Sequence, residues 1–268
     1  MTNYYLAMNP NAIEEKIDGI ATQEPTYGLP ALWIKEDVKE HALTKGFTVV
    51  DLATVLTTHL SEIVKQHCHE MLGRQDVQQL LDTLKETHPK VVEELVPNLL
   101  PLGGVVRVLQ NLLREQVPIR DLLAICETLA DWASATKDLD ILTEHVRHAL
   151  ARTLTKIYLT PEGNIAAITL GHSLESAISG ALQQTEHGTF LSLDPHIAQQ
   201  MMHNLAERLE KLSSLNYQPV VMCSAQIRYH VKRLVDRFMP RVAVLSYDEI
   251  LPNVEIQTLD VLELNDAD

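Results

Sequence analysis

The chain is poor in aromatic residues: Phe, Trp and Tyr together make up 4% of its 268 positions. Leu, Val, Ile and Ala must therefore fill its interior, and the stacking platforms that single-stranded nucleic acids use are scarce. Cysteine is scarcer still. Cys68, Cys126 and Cys223 lie far apart with no C-x-x-C between them, so they read as three reduced thiols rather than a disulfide framework or a zinc ribbon. No signal peptide is visible, because the first twenty residues carry Asn, Glu, Lys and Asp at close intervals. No apolar run approaches the length that spans a bilayer. Positive charge is in deficit, 22 Lys and Arg against 36 Asp and Glu, for a formal net charge of −14. That balance opposes nonspecific nucleic-acid binding, which neutralises phosphates with Lys and Arg. It favours solubility and basic partners. A phosphate-cradling G-x-x-x-x-G-K-[ST] loop is missing, and the Gly103-Gly104 pair has no Lys after it. Its role is turn geometry or close backbone approach.

What remains is a chain long enough for an ordinary core, of one large or two to three small domains, with 46% hydrophobic residues. Its pattern predicts an α+β protein of several subdomains, with a helical middle and a C-terminal α/β part. Tyr4–Met8 reads as a strand punctuated by Asn9-Pro10-Asn11. Leu29–Ile34 is a second apolar run, Lys35–Lys45 a short surface helix ended by Gly46, and Phe47–Val50 a β-rich stretch. Asp51 stands where an N-cap belongs. Behind it Leu52, Leu56, Leu60, Ile63, His67 and Met71 share one helix face, closed by Gly73. Asp76 caps the next helix, and Pro89, Pro97 and Pro101 cut the chain into short pieces.

Val105, Val108, Leu109, Leu112 and Leu113 make the stripe of one helix. Pro118 suits the first turn of another, and Asp138 opens a third that carries Leu142, Val146, Leu150 and Leu154. Ile157–Leu159 and Ile165–Leu170 flank Thr160-Pro161-Glu162-Gly163-Asn164 like a hairpin. After a helix at Leu174–Leu182 and a loop around Glu186-His187-Gly188, Asp194-Pro195 opens a helix to about Leu215. A strand at Pro219–Met222, a helix at Ala225–Phe238 and a strand at Val242–Leu245 imply a right-handed βαβ unit with parallel strands. Glu255–Leu262 is a final strand, and Glu263–Asp268 an acidic tail.

Several short constellations invite chemistry. In His67-Cys68-His69-Glu70 the two histidines at i and i+2 point to nearly opposite sides of a helix, so they do not share an ion. One core-facing and one exposed His is the better reading. Gly171-His172-Ser173-Leu174-Glu175 has half of a nucleophile elbow, but Glu175 stands where the elbow needs Gly, which makes Ser173 a helix N-terminal residue. Arg228, Lys232, Arg233, Arg237 and Arg241 form the one basic cluster. It reads first as a solvated helix face salted by carboxylates, and second as a docking surface for an acidic neighbour.

A longer pattern resembles a known family. Leu95-Val96-Pro97-Asn98-Leu99-Leu100-Pro101-Leu102-Gly103-Gly104, continuing through Gln110-Asn111-Leu112-Leu113 to Val117-Pro118-Ile119-Arg120-Asp121, resembles the signature segment of the flagellar type III secretion export-gate (FlhA) family, in its cytoplasmic domain. Gly28-Leu29-Pro30-Ala31-Leu32-Trp33-Ile34, Gly46-Phe47-Thr48-Val49-Val50-Asp51, Thr58-His59-Leu60-Ser61-Glu62, Leu72-Gly73-Arg74-Gln75, Glu127-Thr128-Leu129-Ala130, Pro219-Val220-Val221-Met222-Cys223-Ser224 and Val244-Leu245-Ser246-Tyr247-Asp248-Glu249-Ile250 follow in the family's order.

The resemblance implies four parts: a partial N-terminal αβ subdomain at 1–49 continued at 97–117, a helical insert at 50–96, a helical subdomain with a hairpin at 118–193, and a C-terminal α/β subdomain at 194–268. The last is expected to join the rest by few contacts, with a cleavable loop near His187–Thr189. The implied function is a docking platform of the export gate with no covalent chemistry and no cofactor. Its partners would be flagellar export chaperones with bound substrates, the export ATPase complex, and copies of itself in a nonameric ring. Nucleic acid is not among them. The implied place is the cytoplasmic face of the bacterial inner membrane, reached through an N-terminal membrane half that this soluble piece lacks. By motif, the chaperone-binding positions are His69, Leu72, Leu102 and Gly103, near the breaks at Gly73 and Pro101. Two alternatives stand beside this reading: a virulence injectisome export gate of the same fold, and a hydrolase whose site is assembled from dispersed Asp, Glu and His.

Overall fold

Alternation along Tyr4–Met8 sends Leu6 and Ala7 to opposite faces of a strand, and both are buried. The computed structural model describes residues 3–9, 17–26, 28–185, 188–213 and 220–264. Pro10-Asn11, Glu186-His187, the helix end at Leu215, Pro219 and the last four residues of the acidic tail fall outside that set. The chain divides into two units, 1–71 and 72–268. The boundary therefore falls inside the 50–96 stretch that the sequence groups as one insert.

In the first unit, β1 (Tyr4–Met8) lies between β3 (Pro30–Lys35) and β4 (Thr48–Asp51), antiparallel to both, and β2 (Ile20–Gln23) pairs on the outer side of β3. Leu6 stands opposite Trp33 on one side and Val50 on the other. One sheet face buries Ala7, Ile34 and Phe47 with Ala42 of helix α1 (Glu36–Thr44). The other buries Leu6 and Ala31 with Val55 of helix α2 (Leu52–Met71). Asp51 caps α2 as expected, its Oδ1 accepting from Thr54 N at 2.8 Å. The apolar stripe of α2 forms but stays uncovered: Leu56, Leu60, Ile63 and Met71 are 41–69% exposed. β2 is exposed and lacks the alternation by which the other strands are recognised.

The second unit begins with helices. α3 (Arg74–Thr87) and α4 (Pro89–Glu94) lead through a π-helical turn at Leu95–Leu99 into α5 (Leu102–Arg114). α6 (Leu122–Trp132), α7 (Leu139–Ala149) and α8 (Ala151–Tyr158) follow. The prolines mark these breaks, as their missing N–H requires. One core joins them, with Val77 and Leu81 of α3, Val105, Leu109 and Leu112 of α5, Ile125 and Leu129 of α6, and Leu142, Val146 and Leu154 beyond. Asp138 caps α7, its Oδ1 accepting from Asp140 N at 2.9 Å and Ile141 N at 3.3 Å. Pro118 does not open α6. That helix starts at Leu122 behind Asp121, whose Oδ1 accepts from Ala124 N at 3.2 Å.

The α/β part follows with β5 (Ile165–Leu170), α9 (His172–Gly180), β6 (Leu182–Thr185), β7 (Gly188–Leu191), α10 (Pro195–Ser213), β8 (Val220–Cys223), α11 (Ala225–Val235), β9 (Ala243–Ser246) and β10 (Ile256–Leu262). Four parallel strands run in the order β10-β5-β8-β9. The β8–α11–β9 crossover is the βαβ unit expected from the sequence. Ile157–Leu159 is not the first arm of a hairpin. Ile157 and Tyr158 end α8, and β5 pairs in parallel with β8 and β10. All six β5 residues are buried, the pattern of a central parallel strand. An antiparallel hairpin does occur in this stretch, but as β6–β7. Since β5 precedes Asp194 in the chain, the C-terminal sheet takes a central strand from the segment that the sequence grouped with the helices. One sheet face packs Ile168, Val221 and Val244 against α9, α10 and α11. The other packs Ile165, Met222 and Leu245 against Ile250 and Tyr158.

Candidate functional site

Leu72 follows the end of α2 in sequence and opens the second unit, half-buried against the helical core. Its carbonyl accepts from Gln110 Nε2 of α5 at 2.9 Å. Gly73 N donates to Asp76 Oδ2 at 2.8 Å, so the carboxylate closes the first turn of α3 from its third position. Leu102 is the first residue of α5 and is also half-buried against the helical core. A Cβ on Gly103 would stand 3.4 Å from Arg74 Nη2, which places the Arg74 guanidinium over the first turn of α5. Gly103 and Gln110 are seven residues apart and share one face of α5, about 10 Å along its axis. The start of α3 thus lies along that face, with Leu72 at its Gln110 end and the Arg74 guanidinium reaching Gly103 beside Leu102. His69 belongs to the first unit, in the last turn of α2, with 18% of its side chain exposed and its Nδ1 unpartnered among the described residues.

This neighbourhood offers half-covered leucines, a backbone carbonyl and a guanidinium. It can hold an apolar surface by burial and hydrogen bonding. Among the described residues no group of three or more His, Cys, Asp or Glu is placed to hold a metal ion. His67 is turned outward and pairs with Glu70 at 3.0 Å. Ser173 lies in the first turn of α9 and its hydroxyl donates to Glu263 Oε2 at 2.6 Å. The same carboxylate lies over Gly171, just before α9, in the space a Cβ there would take. The Gly-His-Ser run thus meets the residue that follows β10.

Among the described residues a buried network of ion pairs forms around Arg228, a member of the basic cluster. Arg228 of α11 is fully buried. It donates to Glu115 Oε2 at 2.7 Å, just beyond α5, and it pairs with Glu144 of α7 through two nitrogens. Arg147 of α7 is buried beside it, on Glu115 at 2.9 Å and Glu249 at 2.6 Å. Burial alone would raise the Glu115 carboxyl, but Arg228 and Arg147 overcome it and hold it at about 2. Burial wins at Glu144, whose carboxyl is raised despite Arg228. Lys232 is buried as well, donating to the Val242 carbonyl at 3.0 Å and pairing with Asp236 at 2.7 Å.

The basic cluster is thus not one solvated face: Arg228 and Lys232 point inward, while Arg233 and Arg237 are exposed. Helical spacing carries the signal. Arg228 and Lys232 share a stripe with Val231 and Val235, all buried. The network also joins α5 and α7 to α11 and the turn at Tyr247–Glu249, against the expectation that few contacts hold the α/β part.

In the second unit a helical core and a four-stranded parallel sheet are thus joined by buried ion pairs. The chain belongs to the FHIPEP family, whose model matches residues 1–255. It is 44% identical over 264 residues to the flagellar biosynthesis protein FlhA of Bacillus subtilis, covering 98% of this chain and 39% of that protein. The chain therefore spans about two fifths of the length of that curated relative. Its fold is similar to that of the Chlamydia pneumoniae CdsV protein, with a TM-score of 0.84 and 28% identity over 97% of this chain and 74% of the other. The nonameric SctV-C of EPEC is also similar, with a TM-score of 0.75 and 26% identity over 98% of this chain and 78% of that one.

Proposed function

We propose that the chain is a cytoplasmic docking platform of a flagellar type III protein export gate, receiving chaperone–substrate complexes and components of the export ATPase for ordered secretion. The observation that carries this reading is the 44% identity to a flagellar FlhA along 98% of the chain. That exceeds its 26–28% identity to the CdsV and SctV-C structures and favours the flagellar over the injectisome branch. Leu72, Leu102 and Gly103 of the second unit are chaperone-binding positions, and His69 is a candidate position of the first unit taken by itself. The half-buried state of both leucines supports this, since an apolar anchor must be held by a core and yet remain reachable. Assembly into a ring of like domains is supported by the nonameric SctV-C relative. No helix among the described residues is long and apolar enough to cross a membrane. Attachment to the inner membrane would come from a part of the full-length protein outside this chain.

The test is a pull-down with a flagellar export chaperone, free and loaded with its substrate. The loaded complex is retained and the free chaperone is retained less. Equal retention of an injectisome chaperone, or no retention of either flagellar form, overturns the reading.

A further inference from the structure

The α/β part holds a second surface, independent of the chaperone reading. Only three phenylalanines occur in the chain. Phe47 is buried, but Phe190 is 46% and Phe238 66% exposed. Both line the same cavity, about 650 Å³, between β7, the start of α10 and the end of α11. Met202 and Leu234 line it too and join it to the core beneath. Among the described residues its charged lining is Arg233 and Arg237. Arg233 sits over the Tyr229 ring and reaches the Tyr229 hydroxyl at 3.4 Å. Neither guanidinium has a carboxylate partner among the described residues.

That is unusual in this molecule. Carboxylates outnumber cations by fourteen, and the neighbouring α11 cations are neutralised internally, Arg228 by Glu115 and Glu144, Lys232 by Asp236. His230, also on the cavity wall, is held below its ordinary value by burial and then by Arg233. The rim charge at neutral pH thus rests on the two guanidiniums. Asp236, beside Arg237 in sequence, is taken by Lys232 at 2.7 Å, and Asp194, beside Pro195, is engaged in capping α10 through His196 N at 2.7 Å.

We propose that this groove docks an amphipathic helix of a partner protein, one whose apolar stripe is flanked by Asp or Glu. The apolar floor and aromatic rims take the stripe, and the two guanidiniums take the flanking carboxylates. The volume lies within the range of ordinary binding clefts.

The test uses the whole chain and two synthetic helical peptides, both with Leu at i, i+3, i+4 and i+7. One carries Glu and the other Lys on the flanks. Fluorescence anisotropy at low salt is expected to show the Glu peptide binding about tenfold tighter or more. Arg233→Glu combined with Arg237→Glu is expected to reverse the preference. Phe238→Ser is expected to weaken the Glu peptide with an unchanged thermal midpoint. Equal binding of both peptides, no binding, or Glu-peptide binding untouched by the double variant overturns the proposal. So does sedimentation showing self-association that Phe238→Ser abolishes, which would give the groove to a second copy. Preference for anionic vesicles over the Glu peptide would give it to a membrane.

Discussion

Replacing Arg228 by Met isolates the ion cluster that joins the helical and sheet layers of the second unit. The guanidinium is fully buried and serves Glu115, Glu144 and the Val244 carbonyl at 3.3 Å. Met fills much of the stem volume, so the perturbation is mainly the charge. Glu115 keeps Arg147 at 2.9 Å, whereas Glu144 loses the cation it chelates. Breaking a buried pair from one side costs about 3–5 kcal/mol, because the remaining charge is stranded. That is a large share of the 5–15 kcal/mol that ordinarily holds a domain together. Adding Glu144→Gln removes the stranded charge and should recover about 1–2 kcal/mol of the loss. The assay is urea unfolding followed by Trp132 fluorescence in a Trp33→Phe background, since these are the two tryptophans and only Trp132 lies in the second unit. A loss below about 1 kcal/mol for Arg228→Met, or a double variant no more stable than the single, would refute the reasoning.

Glu115, held at about 2 against an ordinary 4.5, contributes stability that is whole above pH 4.5 and fades as pH falls toward 2. Its share is about 3 kcal/mol, offset in part by Glu144, whose raised carboxyl favours the acid side; urea midpoints between pH 6 and 2 should fall, and more shallowly in Arg228→Met. Proteolytic nicking near His187–Thr189 should leave both fragments together on gel filtration, because β5 pairs with β8 and β10; separation without denaturant would contradict the sheet order. At low micromolar concentration the isolated chain should be monomeric by light scattering, its net charge of −14 opposing self-association; a stable nonamer would refute this.

Elements with a clean period were legible in the sequence. α5 shows its stripe through Val105, Leu109 and Leu112, and the β8–α11–β9 unit shows short apolar runs around a helix. The misreadings share a physical cause. β2 and the β6–β7 hairpin are short and largely exposed, so no burial pattern marks them. Ile157 and Tyr158 look β-branched and aromatic, but they complete the last turn of α8, where tertiary packing of Tyr158 outweighs propensity. Arg228 stands in a run of basic residues whose charge suggests solvent, but its spacing from Val231 and Val235 places it inside. Of the candidate docking positions, Leu72 and Leu102 came from the family resemblance, and the breaks at Gly73 and Pro101 lie beside them. Their half-burial depends on α3 lying along α5, a pairing that no local pattern encodes.

The central claim is that Leu72 and Leu102 present an apolar docking surface to a chaperone loaded with flagellar substrate. Calorimetric titration of that complex into wild type, Leu72→Asp and Leu102→Asp tests it most directly, with urea midpoints measured in parallel. Half-buried leucines should cost about 1–2 kcal/mol of stability, less than the 2–5 kcal/mol lost on truncating a fully buried one, so both variants should fold while binding falls by about tenfold or more. Undiminished binding in folded variants would place the docking surface elsewhere and contradict the account.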